Sequence, residues 1–529
     1  MKTEKRGDTW YLVIAVMLVA VFTVFRLFYA DLFLLAQDEP YYWQWSRHPA
    51  WGYYDHGPFI SWTIRLSTYL FGVSEVTVRL PSIVAIAIAS CYLILIAWRW
   101  FSSSAALYVS ILTQSIIIFN AGALIATTDG LLSAAWAGAS YHVARAYEDG
   151  TWKQWLLGGF VFGIGMLSKI TMVFFLPCAF IFGLCSPQHR RRLKSIKPYM
   201  GVLLGLTMFT PVILWNVTHG LVSFRHAAFQ AGVGQRSTIT LRYIGDYMAS
   251  QVGIITPLVF ILVVLAWVKA FAERRVRWVS YYLLWTSLPV VVIFGILSLH
   301  TRVYANWPAA AYLTASILVA AYFGGRSNTA VTRVDRFGKG LFPWALASSY
   351  ALSAVALLHL VMPIIPLSPR LDPIAQEMAG WDRLGDAVDK VRQEMANPEE
   401  TFLFGVRYQI ASQLAFYVPG QPRTVSINGW SRPNAYDFWY DDDDYIGKNA
   451  VGVTREPNDH ETRLLEVFER VDPPLSINLY RTSPVAFLSV SCEPARTLYI
   501  YRAYNFRGGM KWKPRNEEDI RLSAEVGPR

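Results

Sequence analysis

The sequence predicts a polytopic α-helical membrane protein of about eleven transmembrane helices, with 11–13 as the range, followed by a small extramembrane α/β or α+β domain. Three observations predict it. Of 529 residues, 54% are hydrophobic and only 16% are charged, the balance of a chain solvated by lipid. Charge-free runs such as Leu80–Trp98 are long enough to cross the hydrocarbon core as a helix. Beyond residue 368 these runs stop, and short apolar segments alternate with helix-period polar ones.

The spans are expected over 10–30, 79–98, 104–125, 129–147, 154–168, 170–185, 199–216, 252–270, 279–298, 305–323 and 342–364. The first follows MKTEKRG and lacks a small-residue cleavage site, so it reads as a retained signal-anchor helix. Cations test the threading. Lys2, Lys5 and Arg6 precede the first span. HRRRLKSIK (189–197) follows the sixth, Lys269, Arg274, Arg275 and Arg277 follow the eighth, and Arg326, Arg333, Arg336 and Lys339 follow the tenth. With a cytoplasmic N-terminus every one of these falls inside, as the positive-inside rule requires. The net charge of +11 is then an orientation signal, and no nucleic-acid partner is expected.

The same threading puts the 31–78 loop, the 217–251 loop, His300–Tyr304 and the C-terminal part outside. We therefore expect a transmembrane domain over 1–367 and a soluble periplasmic domain over 368–529. In the latter, 372–396 has helical periodicity. TFLFGV (401–406), RTVSIN (423–428), AVGVT (450–454) and TLYIYRAYN (497–505) read as strands. The cysteines Cys91, Cys178, Cys185 and Cys492 form no CxxC or metal framework and imply no disulfide.

Directly after the first span comes QDEPYYWQWSRHPAWGYYDHGP (37–58). Asp38 and Glu39 are either ordinary loop carboxylates or a general base and its helper. Pro40 suits a first helical turn. The aromatics, Tyr54 among them, read as an interfacial wall around a lipid-facing cavity, with Asp55 and His56 at its far end. Asp129 either caps the fourth span or faces that cavity. Lys169 lies between two apolar stretches, where a cation is costly unless it is paired or holds an anion. Arg79, Arg225, His226, His300 and Arg302 fall on the same side, each also readable as an interfacial anchor. Cations gathered near a carboxylate suit a substrate with a phosphate and a hydroxyl to be activated. Asp55 and His226 also leave open an acid–imidazole metal pair. Asp441–Asp444 lacks a calcium-loop pattern and reads as a solvated loop.

The ordered motifs DEPYYWQWS (38–46), GYYDHGPFISW (52–62), TTDG (127–130), GIGMLSK (163–169), WNVTHGLVSFRHAAFQ (215–230) and NWPAAAY (306–312) resemble a known group. The chain is similar to bacterial relatives of the protein O-mannosyltransferases and of the lipid A aminoarabinose transferase, polytopic glycosyltransferases with polyprenyl-phosphate sugar donors. The resemblance spans nearly the whole chain. It implies a GT-C fold whose first outer loop supplies two short interface helices and the catalytic acid. By it, Asp38 is the catalytic base with Glu39 beside it, and Asp55 and His56 are the acidic–basic pair that ends the first outer loop; Lys169, Arg302, His56, Arg225 and Arg79 are expected to hold the donor phosphate. Asp55, Asp129, His226, Tyr54 and Trp307 line the rest of the cavity.

The implied reaction is an inverting transfer of a monosaccharide from a polyprenyl-phosphate donor to a hydroxyl of a cell-envelope acceptor: lipid A, another glycolipid or a glycan. It would run on the periplasmic side of a bacterial inner membrane, in a monomer embedded in phospholipid. No cofactor is required, and a divalent metal at Asp55 and His226 stays an alternative. The sequence departs from the aminoarabinose branch at His56 and Gly57-Pro58, where that branch carries Lys and Pro-Pro. Two other readings stay open: a protein O-glycosyltransferase on the same scaffold, and a transporter or flippase for a lipid-linked substrate.

Overall fold

The computed structural model describes residues 9–233, 239–325, 332–481 and 493–513, with 458–462 described by backbone alone. Lys2, Lys5, Arg6, Arg326 and Cys492 lie outside the described residues.

Every one of the eleven expected stretches is helical. Among the described residues five helices are long and apolar enough to cross a membrane: Thr9–Tyr29, Glu75–Trp100, Lys197–Thr218, Trp278–Leu297 and Arg333–Val361. Counting two bent pairs as one span each gives seven. The others, Thr128–Asp149, Trp152–Ser168, Ile170–Cys185 and Ala309–Phe323, are shorter or more polar. Ala309–Phe323 is buried at nearly every position. Such a helix packs on helices on all sides, so its composition is set by the bundle and not by lipid.

The bundle is tightest where Trp152–Ser168 crosses Lys197–Thr218. A Cβ on Gly159 would lie 1.9 Å from the Gly201 carbonyl oxygen, so only small residues permit this approach. One bent pair, Ser103–Ser115 with Ile117–Leu124, turns by 69°. Carbonyls near the break find side-chain donors. Asn120 Nδ2 donates to Gln114 O, and Ser349 Oγ donates to Ser115 O. This is the condition for a broken helix inside an apolar bundle.

Thr128–Asp149 has 22 residues, so it is about 33 Å long. Its far end carries Glu148, which pairs with Arg99 at 2.7 Å, while Lys197 Nζ donates to Gly150 O. The basic 189–197 turn thus sits a full helix length from Asp129.

The C-terminal part carries a mixed sheet: β1 (Phe402–Gly405), β2 (Thr424–Ser426), β3 (Ala450–Thr454), β4 (Phe468–Val471), β5 (Leu475–Leu479) and β6 (Arg496–Phe506). Its order is β2-β1-β3-β6-β4, with β5 on the same edge of β6 as β4. β2, β1 and β3 are parallel, and Tyr408–Tyr417 is the crossover helix from β1 to β2. The four expected strands all form. β4 and β5, reading FERV and LSINL, are too short and polar to announce themselves. The helix expected over 372–396 divides into Pro373–Met378 and Trp381–Gln393.

The sheet part is fastened to the bundle. Arg481 pairs with Asp372 and donates to the His359 carbonyl near the end of the last long helix. The larger junction corrects the expectation of an interfacial aromatic wall. Tyr41, Tyr42, Trp43 and Trp45 are all buried, in one core with Tyr408, Phe416, Tyr436 and Tyr440 of the C-terminal part. The docked sheet part supplies their apolar packing, and its Ala435 amide donates to the Tyr41 hydroxyl at 2.8 Å.

Candidate active site

The 31–78 connection contains two short helices, Glu39–Arg47 and Phe59–Phe71. Asp38 is the N-cap of the first, but its side chain makes no cap bond and its backbone is already helical. The carboxylate is therefore left for other work. It is exposed, yet Arg432, Glu377, Asp55 and Tyr408 all act on it. The carboxylate is thus reached by solvent while charged and polar groups stand around it. Burial raises its pKa to about 6, with Arg432 only partly opposing the shift. Its Oδ1 accepts from the Tyr408 hydroxyl at 3.3 Å.

Glu39, the next residue, is 0% exposed. Its Oε1 accepts from Arg79 Nε at 2.9 Å and from the Ala126 amide at 2.8 Å. Its Oε2 accepts from Arg79 Nη2 at 2.8 Å and from the Ala36 amide at 2.7 Å. The remaining Arg79 donors reach the carbonyls of Ala30, Phe33 and Leu34. All five N–H groups of Arg79 are occupied by the chain. This corrects two expectations: Glu39 is not placed to do chemistry, and Arg79 has no donor left for a phosphate. The pair ties the 31–39 turn to the bundle.

Asp55 accepts from Arg432 Nη1 at 2.8 Å and from the Tyr41 hydroxyl at 2.8 Å. Burial raises its pKa, but Arg432, with smaller help from His226 and His56, outweighs burial and holds it below the usual carboxylate range. Arg432 Nη2 also donates to the Tyr408 hydroxyl oxygen at 2.8 Å. A continuous path therefore runs Tyr41–Asp55–Arg432–Tyr408–Asp38. His226 Nε2 is 3.8 Å from Asp55. Burial lowers the His226 pKa to about 4, so the imidazole is neutral there at pH 7.

A second pair closes the other side. Lys169 Nζ donates to Asp129 Oδ1 at 2.7 Å, and Asn306 Nδ2 donates to Asp129 Oδ2 at 2.7 Å. The helix cap is Thr127, so Asp129 holds Lys169. Lys169 is buried, and the pair uses one of its three N–H donors. His56 feels Lys169, Asp55, Asp129 and His226, and Tyr42 feels Asp38, Asp55 and Asp129. These two rings, 6.4 Å apart, bridge both pairs.

Burial and then Lys169 lower the His56 pKa to about 4. The expected phosphate-binding role survives only as that of a neutral hydrogen-bonding ring. Gly57 explains the departure at this point: a Cβ there would lie 2.1 Å from the Leu167 carbonyl oxygen. The backbone passes directly against the end of the Trp152–Ser168 helix, and this sets His56 beside Lys169.

Other candidates lie apart from these contacts. Arg302 is exposed, with its guanidinium 5.8 Å from the Tyr304 ring. Arg225 is exposed on Val222–Gln230. Trp307 packs on Phe294 and Tyr304. Tyr54 does join, with its ring 4.9 Å from His226 and 5.9 Å from the Arg432 guanidinium. Asp55 and His226 fit a divalent metal poorly, because Arg432 already occupies Asp55. Among the described residues no group of three His, Cys, Asp or Glu could hold a metal. Asp441–Asp444 is likewise tied into the fold, where Asp442 accepts from the amides of Gly509 and Met510.

Tyr41, Tyr408, Arg432 and Asn306 were not singled out by the sequence. Tyr41 and Asn306 lie in quoted motifs. Nothing local marks Tyr408 or Arg432, which lie more than 350 residues from Asp38 and Asp55.

The family described as dolichyl-phosphate-mannose-protein mannosyltransferase matches residues 55–215. A lipid A galacturonosyltransferase, RgtD of Rhizobium johnstonii, is 25% identical over 292 residues, covering 53% of this chain and 59% of that protein. The matched region thus spans less than two thirds of this relative. The structure of ArnT from Cupriavidus metallidurans bound to undecaprenyl phosphate superposes with a TM-score of 0.64 at 15% identity, covering 92% of this chain and 97% of that one. The Archaeoglobus fulgidus oligosaccharyltransferase superposes with a TM-score of 0.55 at 11% identity, covering 86% and 70%. The chain has the GT-C fold, and its resemblance to GT-C glycosyltransferases holds in both sequence and fold.

Proposed function

We propose that the chain is a membrane glycosyltransferase that moves a monosaccharide from a polyprenyl-phosphate donor to a hydroxyl of a lipid A-type or other envelope glycolipid. The observation that carries this reading is Asp38: an accessible carboxylate left uncommitted by its own helix and connected to Arg432 through Tyr408. A base with a pKa near 6 is ionised at pH 7 and still basic enough to take a proton from an attacking hydroxyl. As the acceptor oxygen bonds to the anomeric carbon, the bond to the donor phosphate breaks and the phosphate leaves with greater negative charge. Lys169 is the cation best placed to meet that charge, with Asp129 and Asn306 fixing its position. His56 adds a neutral hydrogen bond. Attack from the side opposite the phosphate gives inversion.

The ArnT complex with undecaprenyl phosphate and the RgtD relative support the donor and acceptor classes. The basic 189–197 turn, a helix length from Asp129, supports a periplasmic location for the site and a cytoplasmic one for that turn. The family match over residues 55–215 favours a protein acceptor as the second reading.

The test is transfer from a labelled polyprenyl-phosphate sugar in proteoliposomes, comparing wild type with Asp38→Asn. Transfer by wild type and its loss in the variant are expected. Equal turnover overturns the assigned base. Mass spectrometry of envelope lipids and glycoproteins with and without the gene separates the two acceptor readings.

A further inference from the structure

Beside this cluster lies a recess of about 340 Å³, at the meeting of three distant parts of the chain. The loop 48–54 contributes His48 and Tyr54, the end of the Lys197–Thr218 helix contributes Trp215 and His219, and the C-terminal part contributes Phe438 and Trp439. We propose that it seats a pyranose ring of the acceptor. This rests on the transferase reading and names which part of the acceptor is recognised.

The walls are ring faces already held in place. Trp215 stacks on His219 at 4.1 Å and 13°, and His48 stacks on Trp439 at 4.3 Å and 10°. Phe438 meets both Trp215 and His219 edge-on, at 5.9 and 5.6 Å. His48 Nε2 is held by the Tyr440 hydroxyl at 3.0 Å, and His219 Nδ1 lies 2.8 Å from Trp215 O. A Cβ on Gly52 would lie 2.8 Å from the Trp215 ring, so loop and ring are in direct contact. These groups need no rearrangement to receive a ligand, which lowers the ordering cost of binding.

The lining also selects the ligand. No Asp, Glu, Lys or Arg is among the residues around the recess, which disfavours a phosphate or another charged group. Flat aromatic faces suit a sugar, whose C–H faces pack on rings, and His219, engaged through Nδ1, has Nε2 as a polar partner for a hydroxyl. The volume is near the lower end of the roughly 300–1,000 Å³ of small-molecule sites, enough for one or two sugar rings.

Position ties the recess to the reaction. Tyr54 is its wall on one side, and the same ring meets His226 and lies near Arg432. Arg432 bonds both Asp55 and Tyr408, and Tyr408 bonds Asp38. A sugar seated on Trp439 and Trp215 would therefore stand one side chain away from the network that ends on the proposed base.

The test uses saturation-transfer NMR on the full chain in nanodiscs, carrying Asp38→Asn so that turnover plays no part. The probes are methyl β-D-glucopyranoside and methyl N-acetyl-β-D-glucosaminide, both uncharged. Saturation of the pyranose ring protons is expected, falling at least fivefold when Trp439→Ala is added. His219→Ala is the second variant, should Trp439→Ala fail to fold. The proposal is overturned by absence of saturation at millimolar probe, by equal saturation in the recess variants, or by loss of the sugar signal to competing 1-decanol, which would make the recess an acyl-chain site. Absence of sugar transfer by wild type with probe binding intact would instead overturn the transferase reading.

Discussion

Asp38 and Glu39 are adjacent in sequence and opposite in environment. Glu39 is sealed against Arg79 with four hydrogen bonds and no exposure. Asp38 is exposed and takes one long bond, from Tyr408. A carboxylate with all its partners in place has no lone pair left to take a proton from a substrate. One surrounded by protein but short of partners has a raised pKa and can exchange a proton. The difference separates a structural node from a candidate base.

The largest expected effect comes from Asp38→Asn. Removing a general base should lower kcat by about 10²–10⁴-fold, read as transfer of labelled sugar in proteoliposomes. Stability should move the other way. The folded-state pKa of about 6 lies above the ordinary value of 3.8, so ionisation disfavours the folded state. That penalty is absent below about pH 4 and complete above about pH 6. The Asn variant should thus melt at an equal or higher temperature than wild type at pH 7.5, and at the same temperature near pH 4.

Arg79→Met should show the reverse pattern. It leaves Glu39 buried without its cation, a change that costs about 3–5 kcal/mol in comparable sites. Thermal unfolding in detergent should reveal it, and a wild-type melting curve would show that the node does not hold the 31–39 turn.

Lys169→Met should raise KM for the polyprenyl-phosphate donor roughly tenfold, the loss of one charge-assisted contact. Lys169→Arg should recover part of it. An unchanged KM in both would remove Lys169 from the phosphate site.

Arg432→Gln sharpens the comparison most finely. Arg432 lowers the Asp38 pKa, so its loss should move the acid limb of the kcat profile from near pH 6 to higher pH. The loss in rate at pH 8 should be the smaller effect, within about tenfold. A merely structural Arg432 would lower activity at all pH values without shifting the limb.

Much of the fold was legible because bilayer-scale apolar runs and period-2 strands are local patterns. The eleven helical stretches and four strands follow from them. Asp38, Asp55, Asp129, Lys169, His56 and His226 were legible as polar groups in an apolar setting. The pairings were not. Arg79 looked like a cation at the mouth of a span, and only the positions of Ala30, Phe33, Leu34 and Glu39 show that its donors are occupied. The aromatics of 41–45 read equally well as a membrane-interface wall, and only the docked sheet shows them to be core.

By itself the sequence determined a helical bundle, a C-terminal part with a sheet, and the identities of the groups available for chemistry. Those depend on composition and period, which each segment carries alone. Tertiary structure decided which of two neighbouring carboxylates is sealed, and it brought Tyr408 and Arg432 to the 31–58 segment. It also formed an aromatic recess from three distant stretches. Burial and pairing set a carboxylate's pKa and a cation's availability, and both are properties of the surroundings that the folded chain assembles.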